Sequence, residues 1–186
     1  MVLNLTKEQW SLIFSYFWNF HFSCKQHLVY LALGTNLGHR EDNLRQALQK
    51  LPPEVEISAV SRLYETAPAY VLDQPAFLNI AVRGQTTLSS PDLLAYLKQI
   101  ETQIGRAKTI RYGPRKIDLD IIFYDDLILN TPDLVIPHPR ITERGFVLRP
   151  LAEIAADFVH PLLKQTVADL AANLPPDDGI LRVVNW

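Results

Sequence analysis

From residue 28 onward, strand-like and helix-like hydrophobic patterns alternate, and their order restricts the fold more than any other feature of the sequence. An apolar run over 28–33 is typical of a buried strand. Apolar residues at helical spacing over 44–51 predict a helix, which Pro52-Pro53 ends. The stretches 55–64 and 77–86 each predict one strand. The first half of the chain is therefore expected to run strand, helix, strand, strand.

The second helix has the clearest boundaries in the sequence. Ser89 and Asp92 have the spacing of a capping box at its start, and Gly105 is a residue that commonly ends a helix. Residues 117–124 then predict a strand that continues into a hairpin strand at 127–129. The complete order is β-α-β-β-α-β with a β-hairpin. It predicts an α+β fold with a ferredoxin-like core, whose helices pack on the sheet.

Length and composition favour one domain in a reducing compartment. Helical additions over 147–156 and 166–174 extend the core at its C-terminal end, so a single domain is expected to span 28–186. The 18 basic and 20 acidic side chains leave a formal charge of −2, which argues against bulk binding of nucleic acid. A single cysteine, Cys24, excludes an internal disulfide and a cysteine-rich zinc motif. We therefore expect a cytoplasmic protein.

Residues 1–27 differ from the rest of the chain. Seven of the 18 aromatic residues lie between Trp10 and Phe22, in a stretch without a charged side chain. This run is too short to cross a bilayer comfortably, and it has no signal-peptide cleavage pattern. Three interpretations stay open: an interfacial membrane anchor, an additional packing arm, or a misassigned start with translation beginning near Leu28. The last is favoured, so the aromatic extension is kept apart from the fold argument.

Positive charge is concentrated just after the second helix. Five cations fall within eleven residues, namely Arg106, Lys108, Arg111, Arg115 and Lys116. Because Gly113 and Pro114 interrupt the run and no helical stripe organises it, the segment predicts a loop. Taken alone, such a run is most often a solvated loop.

The strand that follows makes this basic loop a candidate site. Asp118 and Asp120 are two residues apart on a strand, so both carboxylates should project to one side, roughly 7 Å apart. The opposite, apolar face is expected to hold Ile117, Leu119, Ile121 and Phe123. A solvent-facing strand end is the alternative for the pair. Mg²⁺ is commonly held by one or two carboxylates together with substrate phosphates, which the basic loop would bind. The combination predicts a metal–triphosphate site without a P-loop or a kinase glycine motif.

The same segment resembles a known enzyme family. Residues 111–122 (Arg-Tyr-Gly-Pro-Arg-Lys-Ile-Asp-Leu-Asp-Ile-Ile) are similar to the signature of the 6-hydroxymethyl-7,8-dihydropterin pyrophosphokinases. These enzymes of folate biosynthesis move the β,γ-diphosphate of ATP onto a pterin hydroxymethyl group. Further similarity occurs at 32–38, 64–68, 73–79, 137–140 and 143–146. The resemblance implies an Mg²⁺-dependent diphosphotransferase with two metal ions and ATP as co-substrate.

The resemblance also implies roles at the phosphate end of such a site. Asp118 and Asp120 are expected to bind the two Mg²⁺ ions, and Asp120 also to polarise the pterin hydroxyl. Arg106 and Lys108 are expected to be catalytic, on a loop whose closure excludes water. Contacts with ATP are expected from Glu101, Arg111, Arg115, His138 and Arg144. The alternatives are a solvated helix residue for Glu101, a plain loop histidine for His138 and a surface charge for Arg144.

For the pterin end, the resemblance implies ring stacking and a few fixed polar groups. The expected pterin-binding residues are Thr66, Pro68, Phe77, Asn79, Tyr112 and Phe146. Tyr112 and Phe146 would stack on the ring and Asn79 would bind its polar edge, while Phe77 could instead be plain core. The sequence departs from the family pattern at Tyr70, where glycine is frequent, at Thr35, where serine is usual, and at Lys108, where arginine is frequent. Tyr70 leaves the shape of its loop open.

Two other classes of function stay open. An RNA-binding module with this strand order needs an aromatic-rich motif on its central strand, which 77–83 lacks. A member that only senses ligands is disfavoured because the aspartate pair and the basic loop are both retained. The expected partners are thus the two small-molecule substrates, ATP and the pterin, with neither nucleic acid nor membrane, and the protein is expected to be a monomer.

Overall fold

A computed structural model describes residues 25–106 and 112–186 of the chain. The elements of this part, in chain order, are β1 (His27–Thr35), α1 (Arg40–Lys50), β2 (Val55–Val60), β3 (Leu63–Thr66), β4 (Phe77–Thr86), α2 (Ser90–Ile104), β5 (Asp118–Tyr124), β6 (Leu129–Asn130), β7 (Val135–Ile136), a 3₁₀ helix (Ile141–Glu143), α3 (Gly145–Ala155), α4 (Val167–Ala172) and β8 (Ile180–Val184). The predicted aromatic extension lies outside the described residues except for its last three positions.

Within the described part of the chain, six strands form an antiparallel sheet. Their order is β5-β1-β4-β3-β8, and β2 pairs with β4 beyond the end of β3. The two central strands, β1 and β4, pair along their whole length. On the other edge of β1, β5 places Asp118 opposite Gly34 and Asp120 opposite Ala32. The two carboxylates therefore lie beside the C-terminal end of β1, near the first residues of β4.

Helices cover both faces of this sheet. Since successive residues of a strand face opposite sides, Leu31 and Leu33 pack with α1 and α2, whereas Tyr30 packs with α3 and α4. Burial of one such leucine side chain contributes about 1.5 to 3 kcal/mol to the free energy of unfolding. Apolar packing on both faces therefore holds the sheet in place. An α+β fold with helices packed on an antiparallel sheet is thus confirmed. No helix among residues 25–106 and 112–186 combines the length and apolarity needed to cross a membrane.

The predicted helices are present with small changes of boundary. The Ser89 hydroxyl accepts the Asp92 N–H at the start of α2, and Gly105 ends this helix with φ +92°. The helix predicted over 147–156 is α3, with Pro150 in its interior. The one predicted over 166–174 is α4, where Thr166 and Asp169 form a capping box.

The single strand predicted over 55–64 is wrong, because the chain leaves β4 at Ser61 and Arg62. The Ser61 hydroxyl accepts the Ala81 N–H at 2.9 Å, which takes the place of one ladder bond. The Arg62 N–H is satisfied by the Glu153 carboxylate at 2.8 Å. At the break between β2 and β3, side chains therefore take the place of some backbone hydrogen-bond partners. The pattern of apolar residues in the sequence does not indicate this change.

Two further expectations for the region after β5 are wrong. The predicted hairpin strand at 127–129 does not return along β5, because β6 pairs with β7 instead. Phe123 does not share the face of Leu119 and Ile121, since the register between β1 and β5 shifts between Tyr30 and Leu31. This irregularity turns Phe123 to the opposite face, where it packs with Tyr30.

Candidate functional site

A cavity of about 290 Å³ lies where the C-terminal ends of β1 and β3 meet the first residues of β4 and β5. The start of α3 and one residue of α2 complete its wall. Its lining includes Gly34, Thr66, Tyr70, Gln74, Phe77, Asn79, Lys98, Arg106, Tyr112, Arg115, Asp118, Asp120, His138, Arg144 and Phe146. Charged side chains and aromatic or amide side chains therefore meet in one space, and we refer to them as the charged end and the aromatic end.

At the charged end, Asp118 is held by two arginines. Arg106 Nη1 lies 2.7 Å from its Oδ1, and Arg115 Nη1 donates to its Oδ2 at 2.6 Å. Burial by itself would raise the pKa of Asp118, but the charges of Arg106, Arg115 and Lys98 outweigh burial and lower it. Asp118 is therefore ionised over the physiological range and already neutralised.

Asp120 has a different environment, although it lies on the same side of β5. Its carboxylate makes no hydrogen bond or ion pair with any residue that the structure describes. Burial, followed by the negative charge of Asp118, raises the pKa of Asp120 to about 6. A buried carboxylate in this state is available for a cation or a proton, which is the property required of a metal ligand or a general base.

Glu101 supports the charged end from behind the cavity wall. It is buried, with 2% exposure, and its Oε1 accepts the Leu119 N–H at 2.7 Å and Lys98 Nζ at 2.8 Å. Its Oε2 forms an ion pair with Arg106. The interpretation of Glu101 as a solvated helix residue is therefore wrong. Because Glu101 joins α2, β5 and Arg106, it holds Arg106 toward Asp118.

His138 and Arg144 form a second wall of the charged end, beside β5, where the His138 N–H donates to the Ile122 carbonyl at 3.1 Å. Arg144 Nη1 lies 3.5 Å from His138 Nε2, and His138 Nδ1 accepts the Arg140 N–H at 3.3 Å. Burial, together with the charge of Arg144, lowers the pKa of His138 to about 4. His138 is therefore neutral at physiological pH and can act as a hydrogen-bonding group rather than as a cation.

At the aromatic end, two polar side chains and two phenylalanines line the cavity. Asn79 Nδ2 donates to the Thr66 hydroxyl at 2.9 Å, and both residues are buried. A Cβ atom at Gly34 would lie 2.9 Å from Asn79 Oδ1, so glycine is needed there for Asn79 to keep its place. Phe77 and Phe146 also line the cavity, so the alternative of Phe77 as plain core is wrong. This end has the character of a site for a flat ring with a polar edge.

The cavity mouth is formed by Tyr112 and Tyr70. The centroids of their rings lie 4.4 Å apart, with an angle of 32° between the ring planes. The Tyr112 hydroxyl accepts Arg140 Nη1 at 2.7 Å, and its carbonyl accepts Gln74 Nε2 at 3.1 Å. The mouth is thus built from segments that are distant in sequence.

Most of the site residues predicted from sequence line this one cavity, namely Thr66, Phe77, Asn79, Arg106, Tyr112, Arg115, Asp118, Asp120, His138, Arg144 and Phe146. Glu101 and Pro68 are not in the lining, although Ala67 and Ala69 beside Pro68 are. Lys108 and Arg111 lie outside the described residues. The assigned roles themselves stay predictions. Sequence reasoning missed Lys98 and Gln74. A lysine on a helix and a glutamine in a loop look the same in sequence whether they face a cavity or solvent.

The oxygen donors of the charged end fit a hard cation such as Mg²⁺. Asp118 and Asp120 supply carboxylate oxygens on one side of β5, and Mg²⁺ is commonly held by such a pair while phosphate oxygens and water complete its shell. Among residues 25–106 and 112–186 no group of three or more His, Cys, Asp or Glu side chains forms a complete metal cage.

Comparisons with known proteins agree on one family. A family model described as 7,8-dihydro-6-hydroxymethylpterin-pyrophosphokinase (HPPK) matches residues 30–156. The Bacillus subtilis protein named 2-amino-4-hydroxy-6-hydroxymethyldihydropteridine pyrophosphokinase is 46% identical over 129 residues, which are 68% of this chain and 77% of that protein. The Aquifex aeolicus protein of the same name is 36% identical over 157 residues, covering 83% of this chain and 98% of that protein.

Some relatives are much longer than this chain. The folic acid synthesis protein FOL1 of Dictyostelium discoideum is 46% identical over 156 residues, which are 84% of this chain and 24% of that protein. The chain spans about a quarter or less of the length of the first curated relatives that it matches. A solved structure of Plasmodium falciparum HPPK-DHPS has a TM-score of 0.67 at 19% identity, over 82% of this chain and 46% of that one. That likeness supports the fold.

Proposed function

The chain belongs to the 7,8-dihydro-6-hydroxymethylpterin-pyrophosphokinase family, and from this premise we propose that it transfers the β,γ-diphosphate of ATP to 6-hydroxymethyl-7,8-dihydropterin. The products are AMP and the pterin diphosphate, as required for folate synthesis. One observation carries the proposal: a carboxylate pair with arginines and a ring-binding end with a polar edge share a single cavity. A diphosphate donor and a pterin acceptor need both ends within reach of each other.

The transfer itself requires little covalent chemistry from the protein. The pterin hydroxyl oxygen forms a bond with the β-phosphorus of ATP, and the bond from that phosphorus to the α,β-bridging oxygen breaks. AMP leaves with the electron pair, and the hydroxyl loses its proton. We assign Asp120 the polarisation of this hydroxyl, because its carboxylate lines the cavity and makes no ion pair with the residues that the structure describes.

The cations of the charged end bind and orient the triphosphate in this proposal. Asp118 and Asp120 would hold Mg²⁺, which would neutralise the charge that develops on the transferred group. Arg106 and Arg115 exchange their contacts with Asp118 for contacts with phosphate. Arg144 adds a fixed charge, and neutral His138 donates or accepts one hydrogen bond. Lys108 is assigned a catalytic role and Arg111 a contact with ATP, as the family resemblance implies. Glu101 orients Arg106 and remains a candidate for contact with the nucleotide.

The aromatic end binds the pterin. Tyr112 and Phe146 stack on the ring, and Phe77 lines the site beside it. The Asn79 amide, already fixed by Thr66, matches one donor and one acceptor on the pterin edge. The backbone next to Pro68 supplies further polar contacts. Since these groups are neutral, they discriminate between rings and add little to the binding of phosphate.

The proposal extends to the organisation of the protein. If β2 and β3 are counted as one interrupted strand, the strand order of the central sheet follows the 4-1-3-2 pattern of a ferredoxin-like core. We assign this core and its C-terminal helices to one domain over 28–186, with 1–27 as an extension. We propose a monomer in the cytoplasm that uses two Mg²⁺ ions. Two plant relatives, from Arabidopsis thaliana and Pisum sativum, are named as mitochondrial.

The decisive experiment is mass-resolved product analysis of the full chain with ATP, Mg²⁺ and 6-hydroxymethyl-7,8-dihydropterin. AMP and pterin diphosphate in equal amounts are expected, and removal of Mg²⁺ with a chelator should stop their formation. Formation of ADP would exclude diphosphate transfer. Binding of ATP without AMP formation would instead support the sensor alternative.

A further inference from the structure

Tyr70 lies at the cavity mouth, between β3 and β4, and its side chain contacts residues from two other parts of the chain. Its ring lies 4.4 Å from the ring of Tyr112. The guanidinium of Arg140 packs over its ring, with Cζ 4.6 Å from the centroid. Arg144 Nε donates to its hydroxyl at 3.3 Å. Stacked aromatic rings and cation–π contacts of this geometry hold both partners in a defined orientation.

Tyr112 depends on these contacts for its conformation. Its φ of +63° lies in the left-handed region, which a bulky side chain adopts only when its surroundings impose it. Tyr70 covers one part of its ring, Arg140 binds its hydroxyl, and Gln74 binds its carbonyl. All three come from segments outside the basic loop. These contacts with the rim of the cavity therefore help to fix the position of Tyr112.

We propose that Tyr70 is a positioning residue for pterin binding, which together with Arg140 holds the ring of Tyr112 ready to stack on the substrate. This inference rests on the proposed function, because it takes the pterin as the ring that Tyr112 covers. A stacking group that is already ordered binds a ligand more tightly than one that must be ordered on binding. Tyr70 thereby acts on the pterin through Tyr112.

The surroundings of Tyr70 separate this role from a purely structural one. Its side chain is 39% exposed and belongs to neither of the two core clusters, so its removal should leave the fold intact. Its ring contacts Tyr112, whereas its hydroxyl contacts Arg144. Tyr70→Phe therefore keeps the stacking contact with Tyr112 and removes only the hydrogen bond with Arg144, which belongs to the charged end. Leu72, which is 77% exposed in the same segment, provides a matched control.

The test measures pterin affinity and kinetics on the full chain. Equilibrium binding of the fluorescent probe 6-hydroxymethylpterin, with Mg²⁺ and a non-hydrolysable ATP analogue, gives Kd. Steady-state rates give KM for the pterin and for ATP separately. Tyr70→Ala should raise the Kd and the KM for the pterin about 10-fold, with KM for ATP and the melting temperature unchanged. Tyr70→Phe and Leu72→Ala should both stay within about twofold of the wild type.

Arg140→Ala gives an independent check, since Arg140 and Tyr70 act on the same ring. Its effect on pterin Kd should not add to that of Tyr70→Ala in the double variant. Unchanged pterin affinity in Tyr70→Ala, or equal increases in both KM values, would overturn the inference, as would a Phe variant as impaired as the Ala variant. If the wild-type chain itself binds no pterin, the proposed function fails. If the wild type binds the pterin and Tyr70→Ala binds it equally well, the proposed function stands and this inference fails.

Discussion

The two ends of the cavity differ in how their polar groups are satisfied before any substrate arrives. At the charged end, Asp118 already holds Arg106 and Arg115, and Arg106 also pairs with Glu101. At the aromatic end, Asn79 donates one hydrogen bond to Thr66 and retains capacity for more. A ligand that binds Asp118, Arg106 or Arg115 must therefore replace existing ion pairs, whereas a ligand at the aromatic end adds contacts to side chains that are already in place.

This difference separates the expected effects of substitutions. Groups that exchange partners as the reaction proceeds contribute most in the transition state, so their loss should lower kcat. Groups that are fixed in advance contribute equally before and during the reaction, so their loss should raise KM. The two ends can therefore be distinguished by kinetics, because a substitution at the charged end should lower kcat and one at the aromatic end should raise KM.

The largest effect is expected at Asp120. Asp120→Ala should lower kcat by at least about 1,000-fold, because the cavity loses a metal ligand and the group that polarises the acceptor hydroxyl. The melting temperature should not fall, since the carboxylate is buried without a partner among the described residues and repels Asp118. Asp126→Ala, at an exposed aspartate on the turn after β5, is the control. Turnover that is unchanged in Asp120→Ala would refute the metal assignment.

A smaller loss is expected at Arg106. Arg106→Ala should lower kcat about 100-fold while KM for ATP changes less than about threefold, because its charge moves from Asp118 to the phosphates during the reaction. Steady-state kinetics with both substrates measure this split. Arg83→Ala removes an exposed arginine from β4 and should have no effect on either parameter. A change confined to KM would contradict the idea of partner exchange at the charged end.

At the aromatic end the effect should appear in affinity. Asn79→Ala should raise KM for the pterin about 10-fold, because the polar edge of the ring loses its hydrogen-bonding partner. KM for ATP should stay unchanged, and Asn130→Ala at the exposed end of β6 serves as the control. An equal rise in both KM values would mean that the two ends do not act separately.

Much of this arrangement could be predicted from sequence because it depends on local patterns. The spacing of Asp118 and Asp120 predicts that both lie on one side of a strand, and both line the cavity. The cap at Ser89 and the stop at Gly105 define α2 from a few residues. Such features depend on neighbours within a turn or a strand, and the sequence contains those neighbours.

Most of the errors have the opposite origin, since they depend on a partner that is distant in sequence. The bulge that turns Phe123 around arises from its pairing with β1, and the break at Ser61 depends on a side chain of α3. The burial of Glu101 could not be predicted either, because its acidic side chain is compensated by Arg106 and by the Leu119 N–H. Contacts between residues distant in sequence decide these details, and the hydrophobic periodicity of the sequence does not indicate such contacts.

The smallest expected effect is a pair of opposite pH dependences, measured as the unfolding free energy without ATP or metal. Burial and Arg144 lower the pKa of His138 from 6.5 to about 4, so between these values the unfolded chain binds more protons. Stability from His138 is thus lost as the pH falls. Burial and Asp118 raise the pKa of Asp120 from 3.8 to about 6, so there the folded chain binds more protons, and stability from Asp120 is gained as the pH falls.

Substitutions should therefore tilt the stability profile in opposite directions between pH 4 and 6. His138→Gln should make unfolding less sensitive to acid, and Asp120→Asn should make it more sensitive, each by about 1 kcal/mol per pH unit. Urea denaturation at half-unit pH intervals measures both slopes. His39→Gln, at an exposed histidine before α1, is the control for the first variant. If the two variants tilt the profile in the same direction, the environments assigned here to the two walls of the charged end are wrong, because opposite pKa shifts cannot produce slopes of the same sign.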